Sequence, residues 1–191
     1  NPKCSTFFDI SYFGSVYAGR SPALVQQGLE ILINRGVNLK NVRVLFYGSD
    51  NLADLNIQKQ LPSAALFHAM QNLPHGKALS AMRSSSILLS LSSPKSKGIL
   101  TSKIFEYAMI GHPVLSVPRD NDVLDEFVCK ANIGRACDTA EEAAEFIHKY
   151  LDSWRRTGCL PDIESNTDYI SQFSRRAQAE KLNKILIQLQ S

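Results

Sequence analysis

The sequence predicts an α/β fold: a parallel sheet covered by helices on both faces. Two observations carry this. Short, apolar, strand-like runs alternate with segments whose apolar residues recur at helical spacing. The helical segments also carry recognisable start and stop residues. A parallel sheet buried on both faces is the arrangement that uses such a pattern.

Phe7 to Ser15 (FFDISYFGS) reads as the first strand. A helix over Ser21 to Gly36 follows, with Ser21 as N-cap, Pro22 at its first position and Gly36 as its stop. Leu24, Val25, Leu29, Leu32 and Ile33 recur on it at helical spacing. Val42 to Tyr47 is a second strand, Asn51 to Leu61 a short helix, and Ala64 to Phe67 a weaker third strand. His75 to Met82 reads as a helix and Ile87 to Leu91 as a fourth strand. A polar loop, SSPKSKG, spans Ser92 to Gly98. The run TSKIFEYAMIGHPVLSVP from Thr101 to Pro118 then gives a helix, a Gly stop and the strand Pro113 to Val117. On that helix Glu106 lies away from Ile104, Phe105, Ala108 and Met109. Asp122 to Lys130 is a helix, Ile133 to Ala136 a short strand, and Thr139 to Trp154 a helix with Thr139 and Glu142 as a capping box. Arg155 to Ser165 reads as a linker, and Asn166 to Leu189 as one long last helix. Right-handed crossovers between about six such strands give a Rossmann-like, doubly wound sheet. The expected division is a body over residues 1–165 and a C-terminal helix over 166–191.

At 191 residues the chain is long enough for one domain with a real core. It is 44% hydrophobic and 20% charged, with a net charge of +3 and no basic run. That balance gives no ground for a nucleic-acid partner. Cys4, Cys129, Cys137 and Cys159 form no C-x-x-C pair, and His68, His75, His112 and His148 are dispersed. Neither a metal site nor a redox motif is indicated; scattered thiols fit a reducing cytoplasm. No stretch approaches the ~20 apolar residues that span a bilayer. Asn1-Pro2-Lys3-Cys4 leads straight into the first strand, so no signal peptide is read, and the start without Met suggests a fragment or a processed chain.

Ligands of doubly wound sheets bind beyond the carboxyl ends of the strands. After the first strand comes GSVYAGRSP, residues 14–22. Gly14 and Gly19 let backbone approach a ligand, the following helix start favours an anion, and Arg20 offers a planar fork to phosphate oxygens. The same residues also make an ordinary strand–helix turn with a solvated Arg. The spacing is not the G-x-G-x-x-G of dinucleotide sites. After the fourth strand, Lys95 and Lys97 lie in the polar loop, and Thr101, Ser102 and Lys103 open the next helix, a second phosphate-binding arrangement. Glu106, one turn on, could accept two hydrogen bonds from ribose hydroxyls, or could simply pair with Lys103 on the surface. Asp120-Asn121-Asp122 matches a D-x-D metal–diphosphate pattern, but its place between strand and helix favours capping. His75, between Pro74 and Gly76, reads as a helix-start turn rather than a catalytic group.

Taken together, these segments resemble the C-terminal domain of GT-B-fold glycosyltransferases of the broad retaining group called group 1 or family 4. The matching pieces are FGSVYAGRSPALVQQGLEIL (13–32), VRVLFYG (42–48), NLPHGKALSAMRSSSILLSL (72–91) and SKIFEYAMIGHPVLSVP (102–118). With the NIGRACDTAEEAAEFI segment they cover most of residues 7–153.

The resemblance implies a site for a nucleoside-diphosphate sugar, such as a UDP- or GDP-sugar, with neither metal nor further cofactor. Gly14 and Ser15 would lie beside the diphosphate, Arg20 and Lys103 would stabilise it as it leaves, and Thr101 and Ser102 would offer helix-start amides. Leu73 falls where the backbone reads the base, and Glu106 where a carboxylate holds ribose. An acceptor domain would precede this chain, and the last helix would cross back toward it. The implied setting is glycan, polysaccharide or glycolipid synthesis in the cytoplasm, where the full protein could touch the inner membrane face. Two departures stand out: Gly98 occupies the place of a second Glu, and Ser15 stands where many relatives have Arg. Three other readings stay open at this point: a non-catalytic sugar-nucleotide-binding or scaffold module, a nucleotide-sugar epimerase of similar architecture, and an oxidoreductase, which the first-loop spacing weakens.

Overall fold

The computed structural model describes residues 6–16, 19–49, 55–93 and 97–190. Among them, six strands form one sheet, every pairing parallel: β1 (Phe8–Phe13), β2 (Val42–Tyr47), β3 (Phe67–Met70), β4 (Ile87–Leu91), β5 (Val114–Val117) and β6 (Gly134–Ala136). Their order is β3-β2-β1-β4-β5-β6, so winding reverses between β1 and β4.

Burial explains the unbroken apolar runs. Every residue of β1 and of β5 is buried. One face of the sheet presents Phe8, Ile10, Val44, Phe46, Leu89 and Val117 to α1 (Ala23–Asn34) and α5 (Ala140–Thr157). The other presents Phe13, Leu88 and Val114 to α2 (His75–Ser84), α3 (Ser102–Ile110) and α4 (Val123–Lys130). In β1 the second face also carries Asp9, whose carboxylate accepts two hydrogen bonds from Arg43, its register partner on β2, at 2.7 and 2.8 Å.

The helix ends follow the expected chemistry with small shifts. Pro22 stands at the N-cap of α1 rather than inside it, and Ser21 Oγ accepts from the Ala23 N–H. Thr139 caps α5, its hydroxyl accepting from the Glu142 N–H; the Glu142 carboxylate reaches back to the Asp138 N–H. α3 stops at Gly111 in the left-handed region, φ 76°.

Three elements differ from the sequence expectation. The sequence predicts a helix over 51–61; residues 51–54 lie outside those described, and 55–61 form turns. Asn56 sits at φ 52°, and Gln26 of α1 holds both the N–H and the C=O of Gln58, which ties this segment to α1 instead of to itself. The third strand begins at Phe67, after a single 3-10 turn over Pro62–Leu66. The long last helix is two helices, α6 (Thr167–Ser171) and α7 (Arg175–Gln190). Tyr169, Ile170 and Phe173 pack into the second core, with Phe173 against Phe105 and Phe127 at ring distances of 5.5 and 5.1 Å. The chain turns there, and Ser174 Oγ accepts from the Ala177 N–H to start α7.

Gly28 marks the closest approach of α1 to α5: a Cβ there would lie 3.0 Å from the Ala140 carbonyl oxygen and 3.1 Å from the Ala144 nitrogen. Gly28→Leu should therefore destabilise the chain by about 1–3 kcal/mol, the usual cost of overpacking, despite the better helix propensity of Leu. Urea denaturation measures it; an unchanged midpoint would show that the two helices separate freely.

Candidate functional site

The switch point between β1 and β4 is where the sheet opens. β1 pairs with β2 along all six residues, but with β4 only at Ile10 and Ser11. The two strands part toward their carboxyl ends, which leaves carbonyls there in need of donors. Side chains of α3 supply them. The Lys103 ammonium donates to the Phe13 carbonyl, and the Tyr107 hydroxyl donates to the Leu89 carbonyl at 3.3 Å.

Above this parting lies a hollow walled by Tyr12, Arg20, Ser92, Thr101, Lys103 and Asp120, among others. Its parts arrive from four places: the end of β1, the loop before α1, the end of β4 leading into α3, and the turn after β5. Lys103 lies in its floor, with Nζ 4.6 Å from the centre of the Tyr12 ring. Burial, the nearby Arg20 charge and, in opposition, Glu106 bring its pKa down to about 8. Gly14 is at φ 110°, backbone that favours glycine, and a Cβ there would displace the Lys103 ammonium. The enclosed space is about 20 Å³, room for one water molecule.

The eight residues singled out from the sequence fall into two groups. Arg20, Thr101 and Lys103 wall the same hollow, and Gly14 lies directly under Lys103. Ser15 follows, its carbonyl accepting from the Tyr12 hydroxyl at 3.1 Å. Thr101 is at the N-cap of α3 in extended backbone, and its side chain makes no capping hydrogen bond; Ser102 is exposed beside it. Glu106 stands one turn further along α3, half-buried, with Oε1 3.9 Å from His75 Nδ1. It is absent from the walls of the hollow and acts on it through charge, on Lys103. Leu73 is half-buried in the loop before α2, two residues from His75 and likewise outside the walls. Lys95 lies outside the described residues, and Lys97 is exposed.

Asp122 holds the N-cap position of α4 without a side-chain capping bond, and the turn is held by Asp120 and Asp125. Asp120 Oδ1 accepts from the Asp122 and Asp125 N–H groups at 3.0 and 3.2 Å. Asp125 accepts in return from the Asp120 and Asn121 N–H groups at 3.2 and 2.8 Å, and burial raises its pKa. Sequence reasoning missed that Asp120 also walls the hollow. It missed Tyr12 and the Ser92–Ser93 pair as well; the only signal was their place at strand ends.

The chain as a whole resembles known proteins in sequence family and in fold. A family model described as glycosyl transferase-like matches residues 30–157. A search of curated proteins finds no match. Among solved structures, HepE of Anabaena, in a complex with UDP and glucose, aligns over 97% of this chain and 49% of its own, at 14% identity and TM-score 0.70. Sucrose-phosphate synthase of Thermosynechococcus elongatus aligns over 96% and 45%, at 14% identity and TM-score 0.62. A UDP-GlcNAc 2-epimerase of Neisseria meningitidis, bound to UDP-GlcNAc, aligns over 93% and 45%, at 16% identity and TM-score 0.52. At these identities the likeness is one of fold. The chain spans about half the length of each of these structures.

A lysine whose pKa falls on folding makes stability rise with pH between its folded and unfolded values. Here that window runs from about 8 to the ordinary 10.5: the unfolded chain holds the proton there and the folded chain does not. The stability of the native chain should therefore gain on that of Lys103→Met as pH rises from 8 to 10, by urea denaturation. A difference that stays flat would place the ammonium in water.

Proposed function

The chain belongs to the glycosyl transferase-like family, and from that premise we propose that it is the donor-binding half of an enzyme moving a sugar from a nucleoside-diphosphate sugar to an acceptor hydroxyl. The observation that carries the reading is the gathering of Arg20, Lys103 and the start of α3 around one hollow at the switch point. A diphosphate needs cations and unpaired helix-start amides, and these stand together there.

In this reading the sugar–phosphate bond breaks as an acceptor hydroxyl attacks the sugar, and the departing diphosphate gathers negative charge. Arg20 and Lys103 meet that charge from a partly dehydrated site, where such contacts are strongest. The first amides of α3, at Ser102 and Lys103, add their dipoles. No metal is required for this work. Glu106 takes the ribose hydroxyls, and the Leu73 backbone faces the base; His75, two residues after Leu73, stands 3.9 Å from Glu106. UDP- and GDP-sugars are the donors proposed; HepE and the epimerase carry uridine nucleotides.

The acceptor side belongs to a preceding domain, in keeping with the half-length alignments. α7 is the element proposed to reach it. Leu182, Ile185, Leu186 and Leu189 form a stripe at i, i+3, i+4 and i+7 and are at least half exposed. Among the described residues no helix is long and apolar enough to cross a membrane. We place the protein in the cytoplasm, with contact to the inner membrane face through the full-length form. A second reading, a binding module without catalysis, draws support from Gly98, which leaves the loop before α3 without a carboxylate at that position.

Calorimetry on this chain should detect weak binding of UDP or GDP and no turnover of the corresponding sugars. Silence from all of them, with the chain folded, would remove the donor site. Glu106→Ala should weaken whichever nucleotide binds by about tenfold, the scale of a charged hydrogen bond lost. In the complete two-domain protein, Arg20→Ala should lower the transfer rate by about 100- to 1,000-fold. A complete protein that binds donor and transfers nothing would favour the binding module.

A further inference from the structure

We propose that Tyr12 is a positioning residue of the donor site, holding the Lys103 ammonium with the face of its ring and the backbone after Gly14 with its hydroxyl; this goes beyond the donor-site reading and rests on it.

Tyr12 is the next-to-last residue of β1, and its side chain belongs to the core that α1 and α5 cover. Lys103 comes from α3, which packs on the opposite face of the sheet. The two side chains meet at the sheet's end, beyond the point where β1 and β4 part, and both wall the hollow there. Lys103 Nζ stands 4.6 Å from the centre of the Tyr12 ring, within the ~6 Å over which an aromatic face attracts an ammonium. The ring is itself held: Tyr12 is buried and lies against Phe46, with 5.6 Å between ring centres.

The nature of the contact suits a phosphate site. Among the described residues the only hydrogen bond of the Lys103 ammonium goes to the Phe13 carbonyl, which leaves it further N–H donors. A carboxylate in the place of the ring would hold the ammonium and cancel the charge that a diphosphate needs. An aromatic face attracts the cation and leaves its charge in place.

The hydroxyl acts on the other part of the site. It donates to the Ser15 carbonyl at 3.1 Å. In a trans peptide the N–H points opposite to the carbonyl, so this bond turns the Val16 N–H away from Tyr12. The Gly14 N–H is spent on the Tyr47 carbonyl. Those of Ser15 and Val16 donate to nothing among the described residues, and they are the first amides after β1 that are open to an anion. One buried side chain thereby fixes both a cation and an amide pair.

The test measures binding of UDP and uridine, with GDP and guanosine in parallel, by ligand-observed NMR on the native chain, on Tyr12→Phe and on Tyr12→Leu. It also reads the protons on Lys103 Cε in the native chain, which the ring should shift upfield of ordinary lysine positions. Tyr12→Phe keeps the ring and loses the hydroxyl. The Lys103 shift should persist in it, and the diphosphate should bind about fivefold more weakly, the scale of one neutral hydrogen bond, with the nucleoside within about twofold of native. In Tyr12→Leu the shift should vanish and the loss of diphosphate binding should exceed that of Tyr12→Phe. Should Tyr12→Leu fail to fold, the native Lys103 shift and Tyr12→Phe decide. Ordinary Lys103 positions in the native chain, or a Tyr12→Phe that binds the diphosphate as native does, overturn the proposal. Loss of nucleoside and diphosphate by one factor makes Tyr12 a packing residue alone; it overturns the proposal and leaves the donor site standing. A native chain that binds neither diphosphate removes the donor site and this inference with it.

Discussion

The site depends on one constraint: β1 and β4 are neighbours whose connections leave for opposite faces of the sheet. The chain passes from β1 to α1 on one face and from β4 to α3 on the other. No crossover can cover the gap between them, and a crevice at that point is a property of the winding. In this protein the gap is widened by the early end of β1–β4 pairing at Ser11 and Leu88. Backbone carbonyls at Phe13 and Leu89 then have to find donors outside the sheet. α3 provides an ammonium and a phenol for them.

That solution gives Lys103 two duties that compete. As a structural donor it satisfies the end of β1; as a cation it is half dehydrated and close to Arg20, which holds its pKa at about 8. A charge in such a place is poorly solvated by its surroundings, and one carbonyl replaces only part of its lost water. An anion entering the hollow offers a better partner than Phe13 does. The depressed pKa expresses this: burial first, and then the nearby Arg20 charge, make the ammonium less favourable there than in water. Gly14 suits this place because its backbone is at φ 110°, and a Cβ there would push the flexible Lys103 ammonium aside.

The fold was legible because parallel strands buried on both faces leave nearly continuous apolar runs. β2 and β4 match their expected bounds, and β1, β5 and β6 differ by a residue or two. Local signals sufficed where the cause was local, as at Thr139 or Gly111. They failed where a distant partner decided. Gln26 and the left-handed Asn56 draw residues 55–61 into turns, and nothing near 55–61 in sequence announces Gln26. Met109, counted among the apolar residues of α3, is 79% exposed, because α3 turns Ile104 and Ala108 inward and shows its other side to water. In the site, the cations and the helix start were visible as residue types at strand ends. That Asp120 joins the same hollow was not, since it depends on β5 lying next to β4, which only strand order supplies.

The break between α6 and α7 shows how the chain separates what it can bury from what it cannot. Phe173, Tyr169 and Ile170 find a pocket of aromatic rings beside α3 and α4, and the helix stops as soon as they are seated. α7 then carries Leu182, Ile185, Leu186 and Leu189 with no surface of the described chain against them. A helix of 16 residues is marginal in water on its own propensity, and most helices gain their stability from packing an apolar face. Its stripe is regular enough to be one side of a contact, and its opposite side carries the Arg176–Glu180 pair at 2.9 Å, suited to solvent. The body of the domain thus ends in physical terms at Phe173. Beyond that residue, α7 carries its apolar stripe exposed.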